Sequence, residues 1–429
     1  MRVISIIGCG VVCLAACGSE PEATPPKAEV ESLVAEIIHV NVDGTGRREE
    51  RLTALPVALA TTPPDVVCVQ GISSHAERDV LRRALTNVLP FSVELPTTDD
   101  TAVDDPRGLD GVVPPPSKPP CAGLEPALEE ALVCYQICLG LKTTPADFDL
   151  QRCLSTIGCW DERKLDADPE RRCPSCVFAH GQMGATDPAP IRDRCLHRPH
   201  PLAAEGQHGT MLLSRHRLTR PSLRVLPAEG IQRVVLGATL TTPRAANIDV
   251  YCTSLTPTLR TTLTTDPDVT LPYSGAYGSP RDGWLRENEL QVEQLGAHVH
   301  ARREGRPAIV LGNFGASGEV VQWGRVILPP SGPVAAKRLG EIFTSGIAPG
   351  YVPSCTICKD NPLAGRWYAF HDESFFNRIY LADMPQSAVL ASSRSYLGAT
   401  LPPEETDFDG VRLPISAQYG FRSRIAIPR

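Results

Sequence analysis

Two Cys-x-x-Cys pairs are the residues of this chain with the spacing to do chemistry. Cys173-Pro174-Ser175-Cys176 has the spacing of half a zinc site, with His180, His197 and His200 close behind. Cys355-Thr356-Ile357-Cys358 has the spacing of a dithiol redox motif. A third cluster, His371-Asp372-Glu373, offers cation ligands but reads as a solvated loop. Context decides each case. A redox Cys-x-x-Cys opens a helix after a strand, whereas Cys355 follows Pro353 in a loop, so a local Cys355–Cys358 disulfide is expected. Cys173 and Cys176 lie among Cys121, Cys134, Cys138, Cys153, Cys159 and Cys195. An even set in an oxidising compartment pairs within itself, with zinc as the alternative; the connectivity stays open. A redox or metal-storing protein is therefore one reading of this chain.

The compartment follows from the N-terminus. Arg2, an apolar run from Val3 to Leu14 and then Leu14-Ala15-Ala16-Cys17 resemble a secretory signal ending in a bacterial lipobox. Residues 1–16 are the expected signal, Cys17 the lipidated (palmitate-bearing) residue and 17–33 a Pro-, Glu- and Ala-rich tether. This places the protein in the bacterial cell envelope, anchored by lipid to the outer membrane on its periplasmic or surface face. Nothing else approaches the ~18 apolar residues of a membrane span. The formal charge of −7 falls to −8 once Arg2 leaves with the signal. Such a balance gives no electrostatic support for gripping nucleic acid. The expected partner is the membrane, through the lipid on Cys17; a protein or small-molecule ligand is left open.

The elements that position any site are strands and helices read from period and punctuation. Strands are expected at 35–41, within 63–71, at 91–95, within 207–215, and at 231–240, 247–254, 375–381 and 423–427. The strand 308–311, bounded by Pro307 and Gly312, runs into a tight turn. Helices are expected at Arg47–Leu59, with Pro56 a kink or early stop, and at His75–Leu85 and Trp284–Arg303. Glu125–Leu141 also reads as helical and sets Cys134 and Cys138 on one face. Cys68 and Cys252 fall inside core strands, either as buried free thiols or as a pair. Residues 98–204 form a Cys/Pro-rich insertion between 34–97 and 205–429.

Six short stretches, in order, resemble the endonuclease/exonuclease/phosphatase family of deoxyribonuclease-I-like and sphingomyelinase-like enzymes. The first is the strand–helix–strand opening, whose first strand ends in Asn41, as in the family. Pro64-Asp65-Val66-Val67 leads to Gln70, after which the family has a metal-binding Glu and this chain has Gly71. Gly209 to Ser214-Arg215 resembles the Gly-x-x-x-Leu-Ser-Arg strand. Ser254 stands at the His of a Thr-His-Leu stretch. Gly312-Asn313-Phe314-Gly315 stands at the Gly-Asp-Phe-Asn turn. Arg378-Ile379-Tyr380-Leu381 resembles an Arg-Ile-Asp-Tyr strand with Tyr380 in or beside the Asp place. Ser416-Ala417-Gln418-Tyr419-Gly420 stands where the family has Ser-Asp-His-Tyr-Gly.

The resemblance implies an α+β, four-layer αββα sandwich: two mixed β-sheets face to face, helices outside, interrupted by the disulfide-rich insertion. It implies that Asn41, Gly71, Ser254, Asn313, Gly315, Tyr380, Ala417 and Gln418 occupy the family's active-site positions. There the metal-binding Glu and the general base are gone, leaving Asn41 of the catalytic set. No cofactor or metal ligand is expected. The expectation is a catalytically degenerate binding or structural module. The alternative is a metal-dependent phosphodiesterase, a nuclease or sphingomyelinase-like enzyme, with a rebuilt site that would take Mg²⁺.

Overall fold

The structure is a computed structural model. It describes residues 31–40, 48–72, 74–95, 119–140, 173, 176–177, 187–198, 209–228, 231–242, 247–257, 283–317, 319–322, 325–327, 333–356, 358, 361, 374–395, 416 and 418–427. Asn41, Ala417, Cys17, Cys153, Cys159, His180, His200, His371, Asp372 and Glu373 lie outside these.

The N-terminal half holds β1 (Ser32–His39), α1 (Arg48–Thr61), β2 (Val66–Gln70), α2 (His75–Leu85) and β3 (Phe91–Val93). Two helices follow, α3 (Glu125–Gly140) and α4 (Pro188–His197). Then come β4 (Thr210–Ser214), β5 (Arg217–Leu226), β6 (Arg233–Thr241), β7 (Ile248–Ser254), α5 (Gly283–Arg302) and β8 (Ala308–Asn313). The chain continues through β9 (Val320–Gln322), β10 (Arg325–Ile327), α6 (Pro333–Ile342), β11 (Thr344–Ser345), β12 (Asn377–Ala382), β13 (Val389–Ser395) and β14 (Gly420–Ala426).

The strands make two six-stranded sheets, ordered β13-β14-β1-β2-β4-β3 and β11-β12-β8-β7-β6-β5, plus the β9–β10 ribbon. Each large sheet is mixed: β1 runs parallel to β2 and β7 parallel to β8, among antiparallel neighbours. Alternation divides the core into layers. Ile37, Cys68 and Leu212 of one sheet meet Val250, Cys252, Leu311 and Ile379 of the other. The opposite face of the first sheet, with Ile38, Val67 and Met211, packs under α1 and α2 through Leu52, Leu55, Leu59, Leu81 and Leu85. The outer face of the second, with Val235, Tyr251 and Val310, packs under α5 and α6. The order is helix, sheet, sheet, helix. Each Leu or Ile fully buried between layers contributes roughly 1.5–3 kcal/mol.

Local sequence accounts for the boundaries. Ser74 and Glu77 close a reciprocal capping box at the start of α2. Pro56 does not stop α1 early, and the helix runs on to Thr61. Leu52, Leu55 and Leu59 all lie on its buried stripe, and that packing outweighs the one hydrogen bond the proline removes. The edge strand β5 contains Pro221; its register shifts between Thr219 and Ser222, where Arg220 takes a φ of 51°. A proline is tolerated at such an edge bulge.

The insertion has a small core of its own. Leu128, Leu132 and Tyr135 of α3 meet Ile191 of α4 and Val177. Disulfides join Cys121 to Cys173 and Cys176 to Cys195; Cys134 and Cys138 are disulfide-bonded too. Cys173 and Cys176 thus bond to different sulfurs rather than sharing a zinc ion.

Candidate functional site

The strand ends that carry the singled-out residues lie together at one end of the sandwich. In the first sheet His39 pairs with Gln70 and Gln70 with Thr210. In the second, Ser254 pairs with Asn313 and Asn313 with Asn377. Gln418 precedes β14, and its side chain joins the two sheets: Asn313 Nδ2 donates to Gln418 Oε1 at 2.8 Å. Gln70 Nε2 reaches across to donate to Thr253 O. Behind both, Cys68 and Cys252 form an inter-sheet disulfide with their Cα atoms 5.4 Å apart. Facing sheets pack about 10 Å apart, so this end is pinched.

The turn after β8 is built around Asn313. Its Oδ1 accepts from Gly315 N at 3.1 Å, so both ends of the amide are engaged. Gly315 takes a φ of +61°, and a Cβ there would collide with Thr256 O. The polar face of α5 clamps the same turn. Asn288 Nδ2 donates to Thr256 O (2.6 Å) and Phe314 O (2.9 Å), and Thr256 N donates to Gln291 Oε1 (2.7 Å). Glu287 lies behind it, accepting from Thr256 Oγ1 at 2.6 Å. Gly71 has a φ of +77°. Ser254 Oγ accepts from Arg233 Nη1 at 3.2 Å.

Gly71, Ser254, Asn313, Gly315 and Gln418 are thus gathered at one end. Tyr380 is not. Its ring packs edge-on to Phe314, 4.9 Å between centroids, in the layer under α5 and α6, while Ile379 and Leu381 face the inter-sheet core. The side chain of this strand that reaches the site is Asn377, whose Nδ2 donates to Tyr419 O at 2.8 Å. Strand phase was the signal: 377 and 380 differ by an odd number, so they face opposite ways. Polar Glu287, Asn288 and Gln291, buried on α5, were the other missed residues.

The described donors do not fit Mg²⁺. Gln70 Oε1 and Asn377 Oδ1 are buried amide oxygens without a hydrogen-bond partner among the described atoms. Gly71, Ser254, Asn313, Gly315 and Gln418 add no carboxylate, and Mg²⁺ is held by one or two carboxylates among its ligands. No group of three His, Cys, Asp or Glu able to hold a metal occurs among the described residues.

Two mixed sheets face to face with helices on both outer faces decide the architecture. It is a four-layer αββα sandwich, the fold that the sequence resemblance implies. No protein family and no curated protein matches the sequence. Among solved structures the chain is similar to sphingomyelinase C of Streptomyces griseocarneus, with a TM-score of 0.49 and 13% identity over 92% of this chain and 99% of that one. It is similar to a Staphylococcus aureus beta toxin structure, with a TM-score of 0.48 and 10% identity over 91% and 99%. An endonuclease/exonuclease/phosphatase from Beutenbergia cavernae gives 0.43 and 13% over 92% and 72%. Likenesses this distant carry no chemistry to this chain.

Proposed function

We propose that this chain is a non-catalytic member of the endonuclease/exonuclease/phosphatase fold, a binding or structural module tethered to the bacterial envelope through lipid on Cys17. The observation that supports it is the Asn313–Gln418 hydrogen bond, which ties together two places where the resemblance implies an acid-bearing turn and a general base. Neither amide titrates, so neither can take a proton from an attacking water at neutral pH. Asn313 is moreover consumed in holding its own turn. Loss of one general acid or base costs ~10²–10⁴ in rate. Here base, His and metal-binding Glu are replaced together, and losses within one catalytic unit do not multiply.

The test offers the purified protein bis-p-nitrophenyl phosphate, plasmid DNA and sphingomyelin with Mg²⁺ and Mn²⁺. The expected result is no turnover above background. Metal-dependent turnover that survives repurification and is lost in Asp43→Asn, two residues after Asn41 in sequence, establishes the competing reading, a phosphodiesterase with a rebuilt site. Fractionation of cells making Cys17→Ser tests the anchor: the variant should leave the membrane fraction.

A further inference from the structure

The Cys355–Cys358 disulfide has an environment the core staple lacks. Its two sulfurs sit against the guanidinium of Arg394, on β13. Arg394 Nη1 is 3.2 Å from Cys358 Sγ and 3.9 Å from Cys355 Sγ, and it donates to Cys355 O at 3.3 Å. The guanidinium lies over the Tyr419 ring, 4.9 Å from its centroid, and Cys355, Cys358 and Tyr419 make one small apolar cluster. Arg394 has no carboxylate partner among the described residues. A fixed cation against a neutral disulfide gains little, whereas against a thiolate it gains a charge-assisted bond. The cation therefore favours the opened form, in which the sulfur it touches carries the charge.

We propose that Cys355–Cys358 is a thiol–disulfide exchange site for dithiol reductants, with Cys358 as the leaving sulfur. A reductant thiolate attacks Cys355 Sγ, the sulfur farther from Arg394. A mixed disulfide forms with Cys355, the Cys355–Cys358 bond breaks, and its electron pair leaves on Cys358 Sγ beside Arg394. The reductant's second thiolate then attacks its own sulfur in the mixed disulfide and releases Cys355. The reductant ends as a disulfide and the protein as two reduced cysteines. Of the reductant's two protons one stays on Cys355 and the other goes to solvent while Cys358 remains a thiolate.

The exchange site is wired to the rim. Thr356, between the two cysteines, accepts at its carbonyl from Tyr419 N (2.8 Å) and at its hydroxyl from Phe376 N (3.0 Å) and Asn377 N (3.2 Å). Asn361 N donates to Cys358 O at 3.1 Å and Asn361 Nδ2 to Ser416 O at 2.9 Å. Opening the disulfide frees the loop that holds both Gln418 and Asn377 in place.

The experiment equilibrates the full chain in dithiothreitol redox buffers and alkylates and maps the thiols. Cys355 and Cys358 should become reduced together in folded protein while Cys68 and Cys252 stay closed. The alkylation rate of Cys358 in the reduced protein should titrate below the ordinary thiol range. Arg394→Met should shift the equilibrium about tenfold toward the disulfide, about 30 mV for a two-electron couple, and raise that titration; Arg394→Lys should restore part of both. The Tyr419 amide should exchange faster in the reduced form. Opening only alongside Cys68–Cys252, or an ordinary Cys358 titration in the parent protein, overturns the proposal. The second measurement needs no variant to fold.

Discussion

Removing the inter-sheet disulfide by Cys68→Ala with Cys252→Ala should cost about 5 kcal/mol. The two cysteines are 184 residues apart in sequence. Closing a loop of that length in the unfolded chain removes about 18 cal/mol/K of entropy, or about 5 kcal/mol at 25 °C. The Cys121–Cys173 and Cys176–Cys195 bridges lie inside this loop and trim its effective length. The dependence is logarithmic, so they lower the figure by less than ~1 kcal/mol. Both residues are fully buried, so truncation also loses some packing and adds to the cost. The assay is urea unfolding without reductant. The midpoint should fall, and the slope should rise because the released chain exposes more surface. A loss under ~1 kcal/mol, with the other bridges intact by mass mapping, would refute the loop argument and leave the staple a passenger of the packing.

Three further outcomes follow from single residues. Burial, helped by Arg224 and Arg302, pushes His298 down to about 4 from 6.5. Between those values the unfolded chain binds a proton that the folded one does not, so stability should fall by roughly 2–3 kcal/mol from pH 7 to pH 4.5. Urea midpoints at both pH values should show a smaller fall for His298→Leu. Gly315→Asn, which writes the resembling family's residue into the turn, should destabilise by about 3 kcal/mol, because its Cβ meets the Thr256 carbonyl; an unchanged melting midpoint would contradict this. Ser74→Ala should cost about 1 kcal/mol through loss of the α2 cap, read as faster amide exchange in its first turn.

Strong periodicity made much of this architecture legible. The run before Gly312 was readable as a strand because every one of its residues is buried, and His75–Leu85 as a helix because cap and amphipathic face agree. β5 was not: Arg217-Leu218-Thr219-Arg220-Pro221 has neither alternation nor β-propensity, and it is a strand because β6 offers it an edge. Nor was α6, which lies in a stretch that reads as Pro- and Gly-rich loops. At the site, a linear motif names positions but not the face each side chain takes. Tyr380 and Asn377 exchange places for that reason. The Asn313–Gln418 bond joins residues 105 apart, a relation no local pattern encodes. Gly315 reads as a lost functional group in sequence, whereas its left-handed backbone and the Thr256 carbonyl demand a glycine there.

The backbone bond from Cys121 N to Cys195 O, 3.0 Å long, sets the outermost described cysteines of the crosslinked segment side by side. The strands it separates, β3 and β4, are direct antiparallel neighbours, with Phe91 opposite Ser214 and Val93 opposite Leu212. To the sandwich, the described part of this segment therefore hangs between two neighbouring strands, like the tip of one hairpin. A unit whose two ends meet and whose core is its own is a cassette. Its length can change without disturbing the register of the strands that carry it, because loop closure costs little more as a loop grows.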